Sequence, residues 1–132
     1  MYMLDTNICI YIIKKRPTSV LDKLKKTSIE HIYLSSVVEA ELRYGADKSK
    51  YPAKNHAALD MFLRPLTVLP FDQLAARSYG RIRAELEKKG KIIGSYDMMI
   101  AAHCLANGFK VITNNVREFK RVAGLEVENW AR

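Results

Sequence analysis

Residues that mark special environments are scarce in this chain. It has only two cysteines, Cys9 and Cys104, each inside an apolar helical pattern and with no close pair or CxxC spacing. That argues against a disulfide scaffold and against cysteine-based zinc or redox chemistry, and is consistent with buried free thiols in a reducing cytoplasm. No apolar run approaches the ~18 residues needed to span a bilayer, and the first apolar stretch is already interrupted by Asp5, so neither export nor a membrane anchor is expected. Glycine (6) and proline (4) are few, and no repeat, linker or low-complexity run divides the sequence, which sets aside fibrous and disordered classes. Acids are also in short supply, 14 Asp and Glu against 22 Lys and Arg.

What remains is a chain of 132 residues, 48% hydrophobic, the size of one domain with one core. Its net charge of +8 is spread along the sequence and suits a polyanionic partner, although an ordinary basic protein would carry it equally well.

The informative stretch is the start. The apolar run Met1 to Leu4 ends abruptly in Asp5-Thr6-Asn7, the pattern of a buried strand that delivers an acid to its carboxyl end. In an open α/β sheet those ends border the ligand crevice. Asp5 is equally placed to cap the helix that begins at Thr6 or Asn7, and a cap does not exclude a role in chemistry. That helix runs through Ile13 and stops at Pro17, and a second amphipathic helix covers Ser19 to Lys26.

A strand at His31 to Ser35 leads into a third helix, Val37 to Asp47, with Ser36 and Glu39 spaced as a capping box. Further helices are expected from Pro52 to Phe62, from the cap Asp72 to Gly90, and from Tyr96 to Asn107, the last apolar nearly all round. Thr67 to Leu69 reads as a short strand or connector, Lys110 to Thr113 as a strand, and Leu125 to Val127 as a last strand before Trp130. Strands alternating with helices predict an α/β fold, a single domain with a mostly parallel central sheet covered by helices on both faces.

Two more acids stand out. At about 100° per residue, Glu41 falls on one face with Val37, Val38, Tyr44 and Gly45, while Glu39, Arg43 and Asp47 lie opposite. A carboxylate on an apolar stripe is costly unless paired or bound to metal, so a buried salt bridge to an arginine is the competing account. Asp97 is the one acid of the Tyr96 to Asn107 helix, in a first turn where the dipole alone would favour it. His103 on the same helix reads as a core histidine, and its methionines as core filler. Thr113 and Asn115 emerge on the same sheet edge as Asp5.

Four blocks then carry a family resemblance: Met3-Leu4-Asp5-Thr6-Asn7; Ser35-Ser36-Val37-Val38-Glu39-Ala40-Glu41-Leu42-Arg43-Tyr44-Gly45; Ile93-Gly94-Ser95-Tyr96-Asp97; and Thr113-Asn114-Asn115-Val116-Arg117-Glu118-Phe119. In order and spacing, over nearly the whole chain, they resemble the PIN-domain nucleases, in particular the VapC toxin ribonucleases of bacterial toxin–antitoxin pairs. The resemblance implies a PIN-like fold over residues 1–132 and metal-binding, catalytic acids at Asp5, Glu41 and Asp97, with Thr6 and Thr113 in support. The family's usual fourth acid falls on Asn115, an uncharged amide, and Glu118 one turn on is the candidate replacement. The cofactor implied is Mg²⁺, with Mn²⁺ as a substitute, since hard cations take carboxylate oxygens.

The same resemblance implies an endoribonuclease leaving a 3′-hydroxyl and a 5′-phosphate, on structured RNA, often tRNA and by analogy the anticodon region of initiator tRNA. It also implies a homodimer and a cognate VapB-type antitoxin whose C-terminal segment lies across the site. Candidates to hold RNA phosphates are Lys14, Lys15, Arg16, Arg43, Arg81, Lys91 and Arg117. Two rivals stand beside this expectation. One is a non-catalytic basic nucleic-acid-binding module. The other is a phosphotransfer domain with Asp5 as nucleophile, which the haloacid-type phosphatases pair with a second Asp where this chain has Asn7.

Overall fold

Met3 and Leu4 are neighbours in sequence and both are fully buried. Successive strand side chains point to opposite faces, so this strand must be covered on both sides. Val111 and Ile112 repeat the pattern. The computed structural model describes residues 1–132 and shows how the covering is done.

The chain runs β1 (Tyr2–Leu4), α1 (Thr6–Lys14), α2 (Thr18–Lys26), a 3-10 turn (Ile29–His31), β2 (Ile32–Ser35), α3 (Ser36–Asp47), α4 (Pro52–Leu63), β3 (Thr67–Leu69), α5 (Gln73–Lys88), α6 (Ser95–Asn107), β4 (Lys110–Ile112), α7 (Val116–Phe119) and β5 (Val127–Glu128). The five strands form one sheet in the order β3-β2-β1-β4-β5, and every pairing is parallel. Thr67–Leu69 is therefore a true edge strand, and the last strand lies slightly beyond the expected Leu125 to Val127. No helix is long and apolar enough to cross a membrane.

Strand order fixes where a ligand would bind. From β1 the chain steps outward to β2 and β3, then returns to the other side of β1 to lay down β4. Such a reversal opens a crevice at the carboxyl ends of the two central strands. Leu4 pairs with Ile112 there, so Asp5 and Thr113 leave the sheet side by side.

Several local expectations shift by a residue. The N-cap of α3 is Ser35, whose hydroxyl accepts from Val37 N at 3.1 Å. Ser36 instead accepts from Phe71 N at 3.0 Å and ties α3 to the segment before α5. The buried stripe of α3 is Val37, Val38, Leu42 and Ala46, whereas Tyr44, expected on that face, is 65% exposed. In α5 the buried row is Ala75, Ser78, Ile82 and Leu86, with Tyr79 only half-buried. Gly90 closes α5 at φ 63°, a left-handed conformation that a side chain would strain.

The C-terminal tail seals the sheet edge. Trp130 is 2% exposed, packs its ring 5.7 Å from that of Tyr2, and donates through Nε1 to Glu128 at 3.1 Å. Trp130→Ala should lower stability by about 3–5 kcal/mol. Denaturant unfolding checks this, and a loss under about 1 kcal/mol would show that the tail contributes little to the core.

Candidate active site

Asp5 is 4% exposed, yet both carboxylate oxygens are used. Oδ1 accepts from Ile8 N at 3.0 Å, which makes Asp5 the N-cap of α1, and Oδ2 accepts from the Thr113 hydroxyl. Its backbone N–H donates to Ile112 O at 3.0 Å, so the ladder to β4 fixes the residue from behind. The capping role and the crevice position thus coincide in one side chain.

Three further acids approach from separate elements. Glu41, half-buried on α3, accepts from Thr6 Oγ1 at 2.6 Å. Asp97, in the first turn of α6, accepts from Asn115 Nδ2 at 3.2 Å, and the same amide donates to Glu118 at 3.0 Å. Thr113 Oγ1 accepts from Asn115 N at 2.9 Å, which links the Asp5 side of the crevice to the Asp97 side. Asn115, at the place expected for a fourth acid, therefore bridges two carboxylates as a donor. The only sequence signal for this was Glu118 three residues on.

The charges of these acids act on one another. Asp5 is pushed up from 3.8 to about 6, chiefly by burial, with the charges of Asp97 and Glu41 adding to the rise. The Thr113 and Ile8 hydrogen bonds act the other way. Asp97 is also raised, first by burial and then by Glu118, with Asn115 opposing and Glu41 adding. No ion pair includes Asp5, Glu41, Asp97 or Glu118, so the salt bridge considered for Glu41 is not formed. Each acid is matched by a neutral donor.

The acids are neighbours, not a closed cage: no three His, Cys, Asp or Glu side chains converge tightly enough to enclose an ion by themselves. Like charges hold apart when only neutral donors face them. The donor set nevertheless suits a hard divalent cation. Mg²⁺ keeps several waters and takes one or two carboxylates directly, so an open arrangement of oxygen donors meets its demand. Crowded, desolvated carboxylates are also the groups that gain most from a cation.

Other expectations resolve as follows. His103 is a core histidine, 1% exposed, with Nδ1 2.8 Å from Ser35 Oγ and its pKa lowered by burial. Cys9 and Cys104 are free and buried, which pushes both thiols up. Among the basic candidates, Lys14, Lys15, Arg16, Arg81, Lys91 and Arg117 are exposed. Arg43 is not free to meet RNA, because it donates to Asp60 at 2.7 Å and Glu39 at 3.4 Å and contacts His56 at 3.0 Å. Sequence patterning also missed Asn114, which accepts from Asn7 at 3.4 Å, donates to Tyr11 at 3.0 Å, and so fastens the end of β4 to α1.

The chain is similar to known proteins over nearly its whole length. The PIN domain family model matches residues 2–125. Ribonuclease VapC2 of Haemophilus influenzae is 47% identical over 129 residues, 98% of this chain and 97% of its own. The tRNA(fMet)-specific endonuclease VapC of Shigella flexneri is 45% identical over 130 residues, 98% of each. Among solved structures, DNA-bound VapBC of Salmonella typhimurium superposes with a TM-score of 0.92 at 43% identity, over 98% of this chain and 97% of that one.

The raised Asp5 pKa has a definite sign. Between pH 3.8 and about 6 the folded state holds a proton that the unfolded state has released, so this group's contribution to stability falls as pH rises through that window. The full effect is on the order of 3 kcal/mol. In chelator, Asp5→Asn should gain stability relative to the parent from about pH 4 to pH 6.5, read as the difference between denaturant midpoints. A difference that stays constant with pH would contradict the raised value.

Proposed function

Since this chain belongs to the PIN-domain family, we propose that it is a VapC-type toxin, a metal-dependent endoribonuclease that hydrolyses phosphodiester bonds in RNA. The observation that carries this is the meeting of Asp5, Glu41, Asp97 and Glu118, from four separate elements, at the carboxyl ends of β1 and β4.

The side chains divide the work. Asp5, fixed through both oxygens, and Asp97, at the start of α6, would hold a divalent cation, Mg²⁺ with Mn²⁺ as a substitute. Glu41 and Glu118 would add carboxylate charge to the same site. When bound, such a cation lowers the pKa of a water and stabilises the developing charge of a phosphodiester. Thr6, Thr113 and Asn115 keep the carboxylates oriented without neutralising them, since each donates a neutral hydrogen bond. The N-terminus of α6 has no side-chain cap, and its free N–H groups favour a phosphate there.

Asn115 also removes one negative charge from a pocket that must admit a polyanion. Its companion Glu118 supplies a carboxylate beside Asp97. Exposed Lys14, Lys15, Arg16, Lys91 and Arg117 offer positive surface for the RNA. The substrate class is structured RNA, and tRNA is the first to test, because a relative of equal length is named as specific for tRNA(fMet).

A VapB-type antitoxin is the expected partner, since solved relatives are VapBC complexes. An apolar groove of about 350 Å³ between α1, α3 and α4 opens beside Glu41 and reaches Lys14, and a partner segment lying there would end at the acids. A homodimer within that complex and a cytoplasmic setting complete the proposal, the latter fitting two free buried thiols.

Incubating the purified, antitoxin-free protein with tRNA and Mg²⁺ should give cleavage that chelator stops. Asp5→Asn and Asp97→Asn should abolish it with the fold intact by circular dichroism. Unaltered cleavage in either variant would overturn the assignment. Glu118→Gln should raise the Mn²⁺ concentration needed for half-maximal cleavage. An unchanged metal curve would return Glu118 to the surface.

A further inference from the structure

A second groove lies away from the acids. It has a volume of about 520 Å³ and runs along α5 and against the segment after α7, with Arg77, Arg81, Lys89 and Arg121 around an apolar floor that includes Ile82 and Leu86. Arg77, Arg81 and Lys89 recur at four-residue steps along one face of α5, with Glu85 between them as the single acid. Arg77 and Arg81 are like charges at a spacing that destabilises a helix, while Glu85 stands four residues from both Arg81 and Lys89. None of the four cations forms an ion pair, even with Glu85 in the same groove.

One residue of the groove is tied by a hydrogen bond to the loop that precedes Asp97. Arg121 lies three residues beyond Glu118 and donates through Nη1 to Ile92 O at 3.1 Å. Two residues after Ile92, Gly94 sits against Asp97, so near that a Cβ there would stand 3.7 Å from Asp97 Oδ2. A chain of contacts thus leads from the acids to the cationic end of the groove.

We propose that the α5 groove is a second RNA contact, in which Arg77, Arg81, Lys89 and Arg121 hold phosphates of the substrate that flank the cleaved bond. This rests on the ribonuclease function above. Guanidinium forks match phosphate oxygens two at a time, and the apolar floor offers a face to ribose or base. No aromatic side chain lines the groove, so it adds affinity and register without base stacking. Arg81 was expected to meet RNA on charge alone, whereas Arg77, Lys89 and Arg121 emerge only from the fold.

The test measures tRNA binding by fluorescence anisotropy across a salt series, with Asp5→Asn as parent so that the probe is not cut. Adding Arg77→Gln and Arg81→Gln should reduce the slope of log affinity against log salt by about 1.4 and weaken binding about 25-fold at ~0.1 M salt. In the otherwise unmodified enzyme the same pair should raise KM about as much and leave kcat within about twofold. Unchanged affinity and slope in a variant that melts like its parent would overturn the proposal. So would unchanged RNA binding with weakened binding of the cognate antitoxin, which would make the groove a protein-docking surface. Absence of RNA cleavage by the unmodified enzyme would instead overturn the ribonuclease assignment, while the anisotropy arms would still decide the groove.

Discussion

A carboxylate held out of water at the end of a central strand is the constraint on which the rest of this molecule depends. Asp5 is buried because β1 is covered on both faces and the chain must leave the sheet beside β4. Its charge is kept by two hydrogen bonds and opposed by burial and by two neighbouring acids, with a pKa near 6 as the balance. A position so unfavourable for a lone carboxylate is favourable for one that meets a cation, and that asymmetry points from fold to chemistry.

The partners chosen for the acids carry the same logic. Thr113 serves Asp5, Thr6 serves Glu41, and Asn115 serves both Asp97 and Glu118. Had arginines filled these places, the charge would have been neutralised internally and no cation would be needed. Arg43 shows the contrast: one turn along α3 from Glu39, it is held by Glu39, Asp60 and His56 and takes no part in the crevice. Acids are thus gathered at the crevice while most of the 22 basic residues lie outside it, an arrangement suited to holding a metal and attracting RNA at once.

Much of this was legible in the sequence because it is local. The run from Met1 to Asp5, the apolar helix containing Asp97, and Gly90 and Gly108 as helix stops each depend on a few adjacent residues, and each appears where expected. The parallel sheet followed from the alternation of strands and helices. Less legible was anything decided by a neighbour distant in sequence. A helical wheel put Tyr44 on the buried face of α3, but packing chose the row through Leu42 and Ala46 and left Tyr44 exposed. Ser36 looked like the cap of α3 until Phe71 claimed its hydroxyl. Arg81 was marked by its charge alone, and only the position of Arg121 turned it and Arg77 into the edge of a groove.

Cleavage by this crevice requires that a divalent ion bind in it. Crystals grown or soaked with Mn²⁺ and measured for anomalous scattering give the position directly. Coordination by this crevice predicts a peak at the carboxyl ends of β1 and β4, within coordination distance of oxygens from Asp5 and Asp97. A protein that cleaves RNA with Mn²⁺ while the peak lies elsewhere, or is absent from that crevice, would contradict it.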